Sequence, residues 1–510
     1  LCVLATGQVG DACKSETDCA PGLACAIDGT LPDTDKTVVS TCTEHNQGRP
    51  AGSACETDAQ CSNHTCALGL CVDLCRETRD CISGTGCTTI PIVDNSVSPA
   101  MVGGNFAGCL PNRGSITWSI PVSSPMASIA LPVPGSAQSA TVVFQVSDEA
   151  QSVGATKVEQ PVEDVDDRIV YDLGQCTPNQ PPDETCTPQL ARTQYFRNRL
   201  RHWPAAGQSV LQIPTRSVKK GSEDDQTVAD FVPGGAYRIE LKSFRPNGSP
   251  GSAIPRVTAI VKMDTSVNLD LNFHFLDLDD HPCSAAFGGG TLDAEVASTA
   301  PFFQEDLQDE KQSYLEELKN ILAKGGIALN NTTYTDIRNR HDLDGLAREN
   351  AGDLLSLGQH DSGIDVFFVR SLTPVGLRAL GPNPGPAGLR GTPESGIVIS
   401  IDSLCYDLVS DDPFPPWKKL ARLTAYMIAR YMGLFHTVEL EHFLEIANAV
   451  PEQARQYREW TDPLVNTTDA TTQNLMFFSE ILQTSPDVME LGTSLTNDQR
   501  DILRRNAVLR

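Results

Sequence analysis

The residues of this chain whose types and spacing could do chemistry gather in Tyr426-Met427-Ile428-Ala429-Arg430-Tyr431-Met432-Gly433-Leu434-Phe435-His436. An apolar helix runs into a glycine and then a histidine. Tyr426 and Arg430, four apart, share one helical face, and Gly433 is placed to end the helix before His436. An imidazole can ligate a metal or act as a general base. A phenol is a feeble ligand while protonated, and a guanidinium is permanently cationic and repels a metal ion. Just downstream, Glu439, Glu441 and His442 could supply replacement ligands, although in no established metal spacing. The plainer reading is that Leu420, Leu423, Met427, Ile428, Tyr431 and Met432 form a core-facing surface, with His436 a hydrogen-bonded residue at the helix end. Two acidic runs, Glu163-Asp164-Val165-Asp166-Asp167 and Asp277-Leu278-Asp279-Asp280, invite calcium. Neither has the D-x-D-x-D-G spacing of a calcium loop, so solvated acidic loops are expected and calcium is unsupported.

The 510 residues are 40% hydrophobic and 20% charged, an ordinary globular mix with length for several domains. A formal charge of −26 argues against nucleic acid and against anionic membrane surfaces, both of which need a basic face. No stretch approaches the ~20 apolar residues of a transmembrane helix. Of 17 cysteines, 13 precede residue 110, a density that suits disulfides in an oxidising compartment rather than C-x2-C zinc knuckles, which are missing. A signal peptide is expected to have been removed. A lipid anchor at Cys2 is disfavoured, because Leu1 is a poor residue before a lipidated cysteine.

The cysteines before residue 110 repeat. Gly10-Asp11-Ala12-Cys13 is echoed by Gly52-Ser53-Ala54-Cys55, and the sets are Cys13, Cys19, Cys25, Cys42; Cys55, Cys61, Cys66, Cys71; and Cys75, Cys81, Cys87, Cys109. Each set allows three connectivities. With few large apolar residues, such modules depend on disulfides of ~2–4 kcal/mol each rather than on a core. They resemble the short EGF- or Dickkopf-like repeats of secreted and cell-surface proteins.

From 112 to 282, β-type runs alternate with Pro, Gly and Ser: Ser115–Pro121, Ala127–Val133, Thr141–Val146, Arg168–Leu173, Ser209–Ile213, Ala236–Phe244, Val257–Met263 and Asn268–Phe275. This spacing predicts an antiparallel β-sandwich. Cys176 and Cys186 lie in one Pro-rich loop and are expected to pair. Three sequons begin at Asn63, Asn331 and Asn466.

From 283 to 510 the pattern is α/β. A helix is expected over Gln304–Lys324, a strand over Ile327–Tyr334, and a shorter helix around Leu343–Leu357. Ile364–Val369 reads as a central strand, Gly396–Asp402 as a strand nearer an edge, and Trp417–Met432 as a long helix. Cys283 and Cys405 are expected to pair and close this domain.

This order, followed by Gly433-Leu434-Phe435-His436-Thr437, resembles the metzincin zinc peptidases, whose active-site helix carries H-E-x-x-H-x-x-G-x-x-H. Asn474-Leu475-Met476 resembles the family's methionine turn, with Met476 beneath the metal position, and Asp462-Pro463-Leu464 resembles a loop of the pappalysin-like, secreted bacterial branch. A capping box at Thr496 starts the last helix. The fold expected is therefore multidomain: disulfide-rich repeats over 1–111, a β-sandwich over 112–282, and a metzincin-like α/β domain over 283–510.

The resemblance also identifies what is lost. Tyr426 and Arg430 stand where the first two histidine ligands belong, Met427 stands where the glutamate base belongs, and of the ligands only His436 remains. Asn466-Thr467 replaces the Asp-Thr expected after Asp-Pro-Leu. A catalytic zinc needs three protein ligands, and water activation needs a base. The expectation is a non-enzymatic, secreted, extracellular or cell-surface pseudopeptidase without a cofactor, acting in binding, adhesion or assembly. Its partner would be a protein, further copies of itself, or a peptide added along an edge strand at Ile397, Val398, Ile399 and Ile401. Two alternatives are an active zinc endopeptidase with atypical ligands, using Glu439 or Glu441 as base, and a structural subunit of an extracellular polymer.

Overall fold

A computed structural model describes residues 6–28, 38–160, 168–172, 202, 204–214, 231–276, 278–279, 281, 290–304, 313–343, 345–347, 350–358, 360, 362–373, 377–382, 384–402, 416–437, 473–476 and 492–510. Cys2, Cys176, Cys186, Cys283, Cys405, Glu439, Glu441, His442, the Asp462-Pro463-Leu464 loop, Asn466 and the run Glu163–Asp167 lie outside them. The chain forms two compact units, one of Leu1–Ala191, Asn198–Pro214 and Ala229–Thr265, the other of Arg192–Arg197, Thr215–Val228 and Ser266–Arg510. The repeats and the sandwich therefore belong to one unit.

All three modules use one connectivity. The first cysteine pairs with the third and the second with the fourth: Cys13–Cys25 and Cys19–Cys42, Cys55–Cys66 and Cys61–Cys71, Cys75–Cys87 and Cys81–Cys109. The cause is a shared local geometry. A single 3-10 turn (Glu16–Asp18, Asp58–Gln60, Thr78–Asp80) lies between the first two cysteines, and the last two face each other across a hairpin. The modules do not rely on disulfides alone. Leu68, Val72, Ile90 and Leu110 of the second and third modules are buried in the sandwich core. Asn63 is wholly buried and donates to Asp73 Oδ1 at 2.7 Å, which removes it as a glycosylation acceptor in the folded state.

The sandwich strands are β1 (Ser115–Ile120), β2 (Met126–Pro132), β3 (Ser139–Gln145), β4 (Ser152–Gln160), β5 (Arg168–Asp172), β6 (Gln208–Ile213), β7 (Ala236–Phe244) and β8 (Arg256–Lys262). They form two antiparallel sheets ordered β5-β4-β7-β2 and β6-β3-β8-β1. Strand β4 has no clean alternation in the sequence because Gly154 and Ala155 make room for His202: a Cβ on Gly154 would lie 2.7 Å from its Nε2. His202 links the sheets, Nε2 accepting from Ala155 N (3.0 Å) and Nδ1–H donating to Val210 O (2.9 Å).

The second unit is built on a sheet ordered β10-β9-β11-β13-β12: β9 (Asn268–Leu276), β10 (Ala328–Ile337), β11 (Ile364–Val369), β12 (Ala379–Leu380) and β13 (Gly396–Ser400). Every pairing is parallel except that of β12 with β13. Two expectations are corrected here. Strand β9 belongs to this sheet and not to the sandwich, so the division falls after Thr265 rather than after 282. Its Leu269, Leu271, Phe273 and Phe275 are buried on one face and Asn272, His274 and Leu276 on the other, as a central parallel strand requires. Strand β13 is not a free edge either. β12 pairs with it at Val398 and Ile399, all five of its residues are buried, and Ile401 lies beyond it.

One sheet face packs against α2 (Tyr314–Lys324) and α4 (Pro416–Tyr431), with α1 (Ala294–Thr299) and α5 (Asn497–Arg505) completing that layer. Ser313 caps α2, its hydroxyl accepting from Glu316 N at 3.3 Å, and the expected part of this helix before residue 313 falls mostly outside the described residues. Phe303 stacks on Tyr314 at 4.5 Å, and Tyr314 donates to Thr424 Oγ1 of α4 at 2.9 Å. The opposite face is covered by α3 (Ala351–Leu355). The helix expected around Leu343–Leu357 is reduced to α3, because Gly345–Ala347 instead pairs in parallel with Ser371–Thr373.

His202 generates a pH prediction. Burial pushes its pKa down to about 4 from an ordinary value of 6.5, so between these values the unfolded chain binds the extra proton and stability falls as pH falls. The slope is at most about 1.4 kcal/mol per pH unit. Urea unfolding and amide-exchange protection of Ala155 should weaken from pH 6.5 to 4, and His202→Gln should flatten that dependence.

Candidate functional site at the end of the long helix

Helix α4 stops because Gly433 takes φ +103°, a left-handed conformation that costs glycine little. Gly433 N then bonds Arg430 O at 2.9 Å and Leu434 N bonds Ala429 O at 3.0 Å, the paired closure of a Schellman motif. The reversed chain brings His436 back under the last turns of the helix. There the three side chains singled out by their spacing meet. Tyr426 Oη bonds His436 Nε2, Arg430 Nη1 donates to Tyr426 Oη at 3.3 Å, and Arg430 Nη1 lies 3.3 Å from His436 Nε2.

The donor chemistry fixes the protonation. A guanidinium only donates, so His436 Nε2 is the acceptor and the proton of the neutral ring sits on Nδ1. Burial, reinforced by the Arg430 charge, pushes the His436 pKa down to about 3. These residues do not fit a zinc ion. One neutral imidazole is present, its lone pair is already bonded, and a fixed cation stands 3.3 Å away. Met427 is buried, and its Cε would lie 3.0 Å from a Cβ on Gly381, so a thioether packs at the position the resemblance assigns to a base.

A series of hydrogen bonds runs from Thr437 to α5. Thr437 N bonds Met476 O at 3.1 Å, Met476 N bonds Asn474 Oδ1 at 2.9 Å, and Asn474 Nδ2 donates to Gln499 Oε1 at 3.0 Å. Gln499 belongs to the capping box that Thr496 opens on α5. Met476 is fully buried in the same core as α4. Tyr426, Arg430 and His436 lie together, and Met476 O meets Thr437 N, one residue beyond His436. Of the acidic run Asp277–Asp280, Asp279 accepts from Thr291 Oγ1 at 2.5 Å and Asp277 and Asp280 lie outside the described residues.

A second constellation escaped the sequence reading: His274 of β9, His360 of the loop before β11, and Asp365 of β11. The one signal was a carboxylate inside the apolar run Ile364–Val369.

No family model and no curated protein matches this chain. Among solved structures, archaemetzincin from Methanopyrus kandleri is 11% identical over 47% of this chain and 96% of its own, with a TM-score of 0.26. CorA, a surface-associated copper-binding protein of Methylomicrobium album BG8, is 10% identical over 30% of this chain and 94% of its own, with a TM-score of 0.11. No helix among the described residues is long and apolar enough to cross a membrane.

Two variants test this geometry. Arg430→Gln removes the lesser cause of the His436 shift, so its pKa, read from imidazole proton shifts, should rise from about 3 yet stay below 6.5. Gly433→Ala places a Cβ in the left-handed region and should lower unfolding free energy by about 1–2 kcal/mol in urea titrations.

Proposed function

We propose that the second unit is a metzincin-like domain that has lost its chemistry, within a secreted or cell-surface protein that works by binding or assembly. The observation that carries this reading is the closed Tyr426–Arg430–His436 cluster, in which a guanidinium and a phenol use the bonding capacity a metal would need. The six disulfides support an oxidising, non-cytoplasmic setting. Binding capacity is better placed in the first unit. A cavity of about 360 Å³ opens there between the module hairpins and the sandwich, with Phe106 and Trp118 for apolar contact and Asp58, His64 and Asp94 for polar contact. Peptide addition along β13 is not part of this proposal, because β12 occupies that strand's outer side.

The full chain, assayed on casein and gelatin with added zinc, should show no cleavage. Combining Tyr426→His, Met427→Glu and Arg430→His should give the protein one additional zinc equivalent, which a further His436→Gln removes. Chelator-sensitive cleavage by the wild-type chain, or wild-type zinc that His436→Gln abolishes, would overturn the proposal.

A further inference from the structure

We propose that His274, His360 and Asp365 form a binding site for one divalent first-row transition ion, zinc above all, independent of the end of α4. Parallel pairing of β9 with β11 sets Asn272 beside Asp365 and His274 beside Phe367, so one sheet face carries both His274 and the carboxylate. Asp365 Oδ1 lies 2.9 Å from His274 Nε2 and 3.0 Å from His360 Nδ1. The three ligand atoms fall within 4.8 Å of one another. Donors about 2.1 Å from a common ion stand about 3 Å apart at right angles and about 3.4 Å apart in a tetrahedron, so small outward shifts would admit the ion. Two imidazoles and one carboxylate suit zinc and its transition-metal neighbours far better than calcium or magnesium, which favour all-oxygen sites.

A hydrogen-bond chain backs His360. Asn272 Nδ2 donates to Ser362 O at 2.8 Å, which leaves Asn272 Oδ1 as an acceptor. Thr333 Oγ1 donates to that oxygen at 2.8 Å, and its proton is thereby committed. His360 Nε2 lies 3.5 Å from that hydroxyl, and Nδ1 faces Asp365 Oδ1. Metal-bound histidines characteristically have their remote N–H held by such a partner. On binding, His274 would present Nε2 and His360 Nδ1 to the ion, each with its ring proton on the other nitrogen.

The surroundings are built and open on one side. The side chains of His274 and Asp365 are 5% and 6% exposed, while that of His360 is 29% exposed and leaves a path for the ion and a water ligand. His274 stacks on Phe367 at 4.5 Å with the rings 16° apart, which fixes its orientation. A Cβ on Gly358 would lie 2.3 Å from Asp365 Oδ2, so only glycine there leaves the carboxylate its place. An ion held here would clamp the loop before β11 to β9.

The test is calorimetric titration of the disulfide-intact full chain, stripped with EDTA and dialysed, using Zn²⁺ and then Co²⁺. One saturable equivalent is expected, with Co²⁺ giving d–d bands of histidine–carboxylate ligation. His360→Gln, at the most exposed ligand, should abolish the equivalent. Thr333→Val, which removes the hydroxyl between Asn272 Oδ1 and the remote nitrogen of His360, should weaken it about 10–100-fold. His436→Gln should leave it unchanged, which separates failure here from failure of the reading of the α4 end. No saturable binding, or unchanged affinity in His360→Gln, would show the cluster to be a histidine–carboxylate hydrogen-bond group only and overturn the proposal.

Discussion

A parallel strand buried on both faces has no side left for water, and the second unit depends on how β9 and β11 meet that constraint. On the α2 and α4 face they use aromatic rings: Phe273, Phe275 and Phe368 pack with Phe303 and Tyr314. On the other face Leu276, Phe367 and Val369 do the same near the carboxyl ends of the strands. Nearer the amino ends that face carries Asn272, His274 and Asp365, polar groups that would each cost several kcal/mol if buried unpaired. Their mutual bonds, and those to Thr333, Ser362 and His360, are therefore a condition of the sheet existing in this form. Polar groups retained at such a cost are more informative about chemistry than any number of apolar contacts around them.

The end of α4 is held together by hydrogen bonds around one fixed charge. Here Arg430 supplies a fixed positive charge from within the helix, Tyr426 relays a hydrogen bond, and His436 remains neutral because burial and that charge both oppose its protonation. The Gly433 turn and the Met476 contact with Thr437 then retain their packing role. Arg430 is half-buried, and its hydrogen bonds join the helix to the chain that follows it. The bonds from Thr437 through Met476 and the Asn474 side chain to Gln499 fix the position of the chain around it.

Much of this was legible in the sequence, for identifiable reasons. The Gly433 turn, the Thr496 capping box and the three cysteine sets are local, so spacing alone identifies them. What escaped depends on distant partners. Strand β4 was hidden because Gly154 and Ala155 look like a loop until His202 is packed on them. The membership of β9 was misjudged because its alternation reads equally as a half-buried sandwich strand; only its pairing with β10 and β11 reveals that both faces are covered. Strand β13 looked like an edge because its cover, β12, is two residues long and leaves no periodicity. His274 and Asp365 meet across 91 residues, and no motif spans that distance.

The cysteine modules carry the same lesson about local and distant constraint. Their disulfide loops span separations of 10 to 28 residues. Loop entropy grows so slowly with length that these extremes differ by only about 0.9 kcal/mol. Loop length therefore cannot explain why three modules of different size share one connectivity. The shared hairpin does: with the third and fourth cysteines directly opposite each other, each can reach back to a different end of the same 3-10 turn. Staples alone would still leave each module free to move against its neighbours. Burying Leu68, Val72, Ile90 and Leu110 in the sandwich core removes that freedom for the second and third modules. A cavity walled by module and sandwich residues can keep its shape only because those two parts share a core.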